Sequence, residues 1–336
     1  MNSAFIYHWW AEKPEDGHGN EDGPPYTNLR TPIVPSIATL RAQNKDIPIY
    51  VLDGTNFDVD WGEFPEVLNF KVVKFEQTLK EYSHRPGWRH LSRIFDLQTF
   101  HKEIPEDIIV YSDSDVFWFD DPLPLMSDPV KFCFNGYNSG FFYYDKKSNL
   151  VKQFFEEFND CTMKALNDEV FREEVWSCRD QRHWYFVLDE AILEYLAFYP
   201  WEQGHLKREE VDFLDVGMDL REHVTARELQ RVNIHEMKMF HTNGLMVQNK
   251  FPKNSGEEEH ARGLVCLLFK ELYQSLKEVL TEDQISKIYK KEEMDHFFPM
   301  QIKFKDSRLV NKILLTKTDD GNFSLMDALS LEQRFF

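Results

Sequence analysis

Two carboxylates separated by one residue, Asp113 and Asp115, directly follow the apolar run at residues 108–111 (IIVY). When such a segment forms a turn, both carboxylates can point into the same space and present hard oxygen ligands suited to Mg²⁺ or Mn²⁺. An ion held in this way can bridge two phosphates and stabilise the charge on a leaving diphosphate. The triplet therefore predicts a divalent-metal site that binds a diphosphate.

The surroundings of the triplet separate it from a chance match. About two such triplets are expected by chance in a chain with this many aspartates, and the sequence contains two. The second, Asp58-Val59-Asp60, lies in a polar stretch with no predicted strand before it. The triplet at Asp113 follows a buried strand and precedes another apolar run, residues 116–119, so we assign the metal to this one.

The elements that position the triplet alternate between strands and helices, which favours an α/β fold with right-handed crossovers and a mainly parallel sheet. The apolar patterns predict strands at residues 4–10, 47–52, 70–75, 108–111, 139–145 and 237–241. Helical spacing is found at residues 35–44, 90–101, 151–175 and 188–198. Such sheets bind ligands beyond the carboxyl ends of their strands, which is where the triplet lies.

Composition limits the classes of function. The chain has 336 residues, of which 42% are hydrophobic, and a formal net charge of −19. This charge argues against nucleic-acid binding and against an anionic membrane surface. The four cysteines show no C-x-x-C spacing and no zinc-like pairing with histidines, which favours reduced thiols in the cytoplasm. The first ten residues resemble neither a signal peptide nor a membrane anchor, so we expect no integral membrane segment.

Six short motifs follow one another along the chain: Leu91-Ser92-Arg93-Ile94-Phe95, Ile104-Pro105, Ile109-Val110-Tyr111-Ser112-Asp113-Ser114-Asp115, Asn138-Ser139-Gly140, Asp189-Glu190 and His241-Thr242-Asn243-Gly244. In this order they resemble the donor-binding core of the GT-A glycosyltransferases. The resemblance is closest to family 8, the group that contains glycogenin and bacterial galactosyltransferases, and it covers roughly residues 1–250.

The resemblance implies a role for each matching residue. Asp113, Asp115 and a ring nitrogen of His241 would bind Mn²⁺ or Mg²⁺. Asn138 and Asp189 would lie at the transferred sugar and take part in catalysis. The residues that would contact the nucleotide-sugar donor are Tyr7, His8, Trp9, Arg93, Asp113, Ser114, Gly140, Gly244 and Lys250.

The sequence departs from the family at two of these places. Val247 stands where the family has a phosphate-gripping lysine, and Lys250 comes later. Glu190 replaces the usual glutamine after Asp189. The donor is expected to be a nucleotide-diphosphate sugar, with UDP favoured by the resemblance alone. The acceptor, whether glycan, lipid or protein, is not indicated.

We therefore expect a GT-A catalytic domain at residues 1–250, a mostly helical extension at residues 251–336, and transfer of a hexose with retention of configuration. Three alternatives are open. A haloacid-dehalogenase-like phosphatase also places such a triplet after a strand, but bulky aromatic residues follow it here. A sugar nucleotidyltransferase would need a Gly-rich, Arg-containing loop after the first strand. A non-catalytic relative that binds sugar nucleotides would bind the donor without turnover.

Overall fold

The structure is a computed structural model, and it describes residues 2–10, 33–85, 87–114, 116–123, 132–135, 138–177, 188–198, 212–214, 239–241 and 273–288. The strands are β1 (Ser3–Trp9), β2 (Ile49–Asp53), β3 (Lys71–Lys74), β4 (Ile108–Ser112), β5 (Val116–Trp118), β6 (Phe132–Asn135), β7 (Asn138–Asp145), β8 (Asp212–Leu214) and β9 (Met239–His241). The helices are α1 (Ile33–Gln43), α2 (Phe64–Val67), α3 (Trp88–Phe100), α4 (Asn149–Asn167), α5 (Glu169–Ser177), α6 (Leu188–Phe198) and α7 (Glu282–Ile288), with a short 3₁₀ turn at Lys80–Tyr82.

The main sheet has seven strands in the order β3-β2-β1-β4-β7-β6-β8. The pairs β2–β3, β1–β2, β1–β4 and β6–β8 are parallel, whereas β7 pairs antiparallel with both β4 and β6. Strands β1 and β2 are buried along their whole length, as expected for parallel strands covered on both faces. The predicted α/β fold with a mainly parallel sheet is confirmed.

The hydrophobic core lies between this sheet and the helices α3, α4, α5 and α6. Helix α4 shows why, because Val151, Phe154, Phe158, Cys161 and Ala165 recur at helical spacing and are all buried. Such a stripe covers one face of the helix and packs against the sheet.

The chain divides into two compact units. The first comprises Met1–Pro14, Ile47–Ser114 and Leu123–Val216, and the second comprises Glu15–Asp46, Asp115–Pro122 and Gly217–Phe336. The first contains the seven-stranded sheet, and the second contains α1, α7 and the antiparallel pair of β5 and β9. The predicted boundary at residue 250 lies outside the described residues and stays a prediction.

Within the second unit, α1 is bonded to β5 through two side chains. The Ser36 hydroxyl donates to the carbonyl of Val116, and the Thr39 hydroxyl accepts the N–H of Trp118 at 3.1 Å. Buried polar groups of this kind are retained only where they are paired. These bonds hold the strand that follows the acidic triplet against its helix.

None of the helices in the described part of the chain combines the length and apolar character that a membrane crossing requires.

The imidazole of His101, which follows α3, provides a test of the packing between α3 and the sheet. Its Nδ1 is hydrogen-bonded to the Tyr144 hydroxyl at 2.8 Å, and burial together with Lys102 and Lys146 lowers its pKa from 6.5 to about 4. Between these values the unfolded chain binds a proton that the folded chain does not. The free energy of unfolding therefore falls as the pH drops from 6.5 towards 4.

We expect His101→Gln to remove this part of the pH dependence, a contribution on the order of 1–2 kcal/mol once solvent screening is allowed for. Urea unfolding of the wild type and the variant at pH 7 and at pH 4.5 measures it. If the wild type and the variant lose the same stability between pH 7 and pH 4.5, His101 does not titrate in this way.

Candidate functional site

Arg93 is the centre of a buried polar cluster in the first unit. It lies on α3 with its side chain only 8% exposed. Its Nη1 donates to Asp113 Oδ1 at 2.7 Å, and its Nη2 donates to Asp189 Oδ2 at 2.5 Å and to the hydroxyl of Ser139. The planar fork of an arginine suits this joint contact with two carboxylates.

Asp113 is placed by the end of β4 and by the neighbouring strand β7. Its N–H donates to the carbonyl of Gly140 at 2.7 Å, which extends the sheet pairing by one residue. The Tyr111 hydroxyl donates to Asp113 Oδ1 at 2.7 Å. The Asp113 side chain remains 24% exposed, so one of the two predicted aspartates reaches both the buried cluster and the surface.

Asp189 is the second residue of α6, and its side chain is fully buried. Ser139 donates to Asp189 Oδ2 at 2.6 Å. The first turn of a helix favours a negative charge because its backbone N–H groups point that way. Within the described residues Asp189 Oδ1 is buried without a hydrogen-bond partner, and so is Nε of Arg93.

Arg93 and Asp189 hold each other in the ionised state. Burial alone would lower the pKa of Arg93, but Asp113, Tyr111 and Asp189 raise it well above its ordinary value. Burial opposes ionisation of Asp189, yet the charge of Arg93 and the Ser139 hydroxyl bring its pKa below the ordinary 3.8. One guanidinium thus faces two carboxylates, which leaves a net negative charge at the carboxyl end of β4.

His90 lies one turn before Arg93 on α3 and borders this cluster. Burial and the positive charge of Arg93 lower its pKa below the ordinary 6.5, against the opposing effect of Asp189 and Asp113. Its ring meets that of Trp10 edge to face, with 6.5 Å between centroids. A neutral imidazole therefore borders the cluster at neutral pH.

The predicted metal ligands are only partly described. The structure does not describe Asp115, and for His241 it describes the backbone alone. The backbone of His241, the last residue of β9, pairs antiparallel with Val116, which directly follows Asp115. Among the side chains that the structure describes, no group of three or more His, Cys, Asp and Glu could hold a metal ion.

The three predicted contacts on β1 are buried in the first unit. Tyr7, His8 and Trp9 are 0%, 7% and 6% exposed. Nε2 of His8 lies 2.8 Å from Oδ2 of Asp96, and Trp9 meets Trp61 edge to face. Their predicted role at the nucleobase stays a prediction, since the structure gives each of these side chains a place in the core.

The remaining predicted residues lie near the cluster or outside the described part. Ser114 follows Asp113 in the turn after β4, and Gly140 lies on β7. Asn138 begins β7, but its side chain is not described. Gly244 and Lys250 fall outside the described residues.

Sequence reasoning missed Tyr111, Ser139 and His90 as members of the polar cluster, and it missed Asp96 as the partner of His8. Helical spacing could have found two of them, because positions 90, 93 and 96 lie on one face of α3. Nothing in the local sequence marks Tyr111, and the partners of Ser139 come from distant segments. Serine at a buried position in the glycine-containing motif at β7 was the only available signal.

A ring of donors and acceptors such as this can hold a polyhydroxylated ligand. The buried oxygen of Asp189 lacks a donor among the described groups, and a sugar hydroxyl would supply one. The exposed edge of Asp113 can face a cation or a hydroxyl.

No protein-family model matches this sequence, and no curated protein matches it significantly. Several solved structures are similar to the chain. The glycosyltransferase GlyE of Streptococcus pneumoniae is 13% identical with a TM-score of 0.45 over 82% of this chain and 63% of that protein, so the chain spans less than two thirds of it.

For two further solved structures, the match covers almost the whole of the other protein. The galactosyltransferase LgtC, solved with donor and acceptor sugar analogues, is 14% identical with a TM-score of 0.44, and the match covers 84% of this chain and 99% of LgtC. Mouse xyloside xylosyltransferase 1 is 12% identical with a TM-score of 0.43, over 72% of this chain and 98% of that one.

Proposed function

We propose that this protein is a metal-dependent glycosyltransferase that moves a hexose from a nucleotide-diphosphate sugar, with UDP as the favoured nucleotide, to a hydroxyl of an acceptor. The observation that carries the proposal is the buried cluster of Arg93, Asp113 and Asp189 at the carboxyl end of β4. It combines a carboxylate at the surface with a buried carboxylate oxygen that lacks a partner among the described groups.

The residues present fit a divalent cation. Two carboxylates and one imidazole form a hard donor set suited to Mn²⁺ or Mg²⁺, and His241 pairs through its backbone with Val116, the residue that follows Asp115 in the sequence. Asp113, Asp115 and His241 would hold the ion. Such an ion would neutralise the charge that develops on the leaving diphosphate.

In the reaction, the bond between the anomeric carbon and the diphosphate oxygen breaks, and its electron pair stays with the diphosphate. A new bond forms between that carbon and the acceptor oxygen, and the proton of the acceptor hydroxyl passes to the departing diphosphate oxygen. Asp189 suits a hydrogen bond to the sugar better than proton abstraction, because a carboxylate with a lowered pKa is a weak base. This favours retention over inversion with Asp189 as the base.

Calorimetric titration with UDP and GDP and their sugar derivatives, with and without Mn²⁺, tests the proposal. We expect one nucleotide to bind the wild type only when the metal is present, and Asp115→Ala to lose that binding. The matched control is Asp58→Ala, which changes the other Asp-x-Asp triplet and should bind as the wild type does.

Turnover is tested in the same samples, because release of free sugar from the donor alone detects slow hydrolysis. Binding without any release would favour the non-catalytic relative. If no nucleotide binds, or if every nucleotide binds equally well without Mn²⁺, the transferase is excluded and the phosphatase is favoured.

A further inference from the structure

A cleft of about 400 Å³ lies at the carboxyl ends of β2 and β3, against the first turn of α3. Aromatic side chains of Phe75 and Trp88 line it together with polar side chains of Asn56, Gln77 and Arg89. This volume and this mixture of flat apolar walls and a few polar groups are typical of small-molecule sites. None of these five residues belongs to the polar cluster around Arg93.

Two sets of hydrogen bonds fix the walls of the cleft. Asp96, fully buried, accepts from the N–H of Thr78 at 2.6 Å and from the Ser92 hydroxyl at 3.2 Å, so the loop that carries Gln77 is tied to α3. On the other side, Nζ of Lys74 donates to Asp53 Oδ2 at 3.2 Å and to the Thr55 hydroxyl at 2.7 Å. Walls held in this way are pre-organised, which lowers the entropy lost on binding.

The amide of Gln77 is the polar group that lacks a partner. Its Nε2 is buried and, within the described part of the chain, has no hydrogen-bond acceptor. The side chain of Gln77 fits here because residue 54 is a glycine: a Cβ on Gly54 would lie only 3.1 Å from Cγ of Gln77. A buried amide without a partner is unfavourable, and a ligand with a carbonyl oxygen or ring nitrogen would satisfy it.

The cleft is connected to the polar cluster through α3. Arg89 lines the cleft with its guanidinium 4.2 Å from the Trp10 ring, and Arg93 follows one turn later, about 6 Å along the helix axis. On the sheet, β2 and β4 are separated only by β1, about 10 Å in total. One nucleotide can therefore reach from the cleft to the carboxylates.

We infer that the cleft receives the nucleobase of the donor, with the base between Phe75 and Trp88 and hydrogen-bonded to the amide of Gln77. The inference rests on the proposed function and deepens it, because it names the residue that distinguishes one base from another. It differs from the sequence-based prediction, which puts the nucleobase at Tyr7, His8 and Trp9 of β1, residues that are buried in the core.

The test is calorimetric titration of UDP, CDP, GDP and ADP, each with Mn²⁺, against the wild type and Gln77→Glu. Glutamate has the same shape but replaces the amide donor by a charged acceptor. We expect the nucleotide that the wild type prefers to bind about tenfold more weakly, the effect of one hydrogen bond, and discrimination among the four bases to shrink. Gln153→Glu, the same change on α4, is the control and should bind as the wild type does.

A second variant, Gly54→Ala, displaces Gln77 without altering its chemistry and should weaken the same nucleotide several-fold. Melting temperatures of the variants show whether each is folded. Unchanged affinity and unchanged base preference in Gln77→Glu would overturn the assignment of the cleft. Nucleotide binding that still requires Mn²⁺ and Asp115 would in that case continue to support the transferase. If none of the four nucleotides binds the wild type, both proposals fail.

Discussion

Replacing Arg93 by methionine is expected to lower the free energy of unfolding by about 3–5 kcal/mol. Methionine keeps much of the side-chain volume but removes the charge that pairs with Asp113 and Asp189. The Asp189 carboxylate is then buried without a counter-ion, and burial of an unpaired charge is costly. Urea unfolding of both proteins at pH 7 measures the difference.

A surface pair of the same length is the matched control. Lys147 Nζ and Asp107 Oδ2 are 2.7 Å apart, as are Arg93 Nη1 and Asp113 Oδ1, but the Lys147 side chain is 68% exposed. Lys147→Met should therefore cost no more than about 1 kcal/mol. If the two substitutions cost the same, burial does not determine the strength of the Arg93 cluster.

A double variant separates the lost charge from the lost packing. Adding Asp189→Asn to Arg93→Met removes the uncompensated carboxylate, so we expect it to restore part of the stability lost in the single variant. A double variant that is less stable than Arg93→Met would show that the loss comes from packing around the guanidinium.

The second large effect is expected on turnover. Asp189→Asn should lower the rate of sugar release or transfer by about 10²–10³-fold, as observed when one buried polar group at a reacting centre is removed. The amide keeps the volume of the carboxylate but loses the negative charge that Arg93 and Ser139 orient. Initial rates at several donor concentrations separate kcat from KM, and we expect the larger change in kcat.

Glu190→Gln is the control for Asp189→Asn, because it removes the same charge one position further along the first turn of α6. It should retain most of the turnover. Circular dichroism and melting temperature identify any general loss of folding in either variant. An Asp189→Asn protein that is folded and fully active would exclude Asp189 from the reaction.

Elements with a strong local pattern were predictable. Helix α6 occupies the predicted residues Leu188–Phe198, because apolar residues at helical spacing follow two acidic residues that suit a first turn. Helix α1 begins at Ile33, two residues before the predicted start, which puts Pro35 in the first turn, where its missing N–H is not needed. Strand β4 was predicted because its apolar run is continuous.

The short strands β6 and β8 were missed. Strand β8 has three residues, Asp212–Leu214, and β6 has four, Phe132–Asn135. Neither is long enough to show a periodicity of two or a continuous apolar run. They exist because other strands supply their hydrogen-bond partners: β6 pairs with β7, which follows it in the sequence, and β8 pairs with the distant β6.

The sequence by itself determined the α/β class, the order of most elements, and the position of Asp113 after a buried strand, because these depend on local apolar patterns and strand ends. Only the tertiary structure decided that Arg93 joins Asp113 and Asp189, which lie 20 and 96 positions away from it along the chain. It alone also decided that His8 faces Asp96 and that Gln77 lines a cleft beside α3. The physical reason is that the hydrogen-bond partners of a buried polar group come from whichever segments the sheet and helices bring together. The local sequence does not indicate those partners.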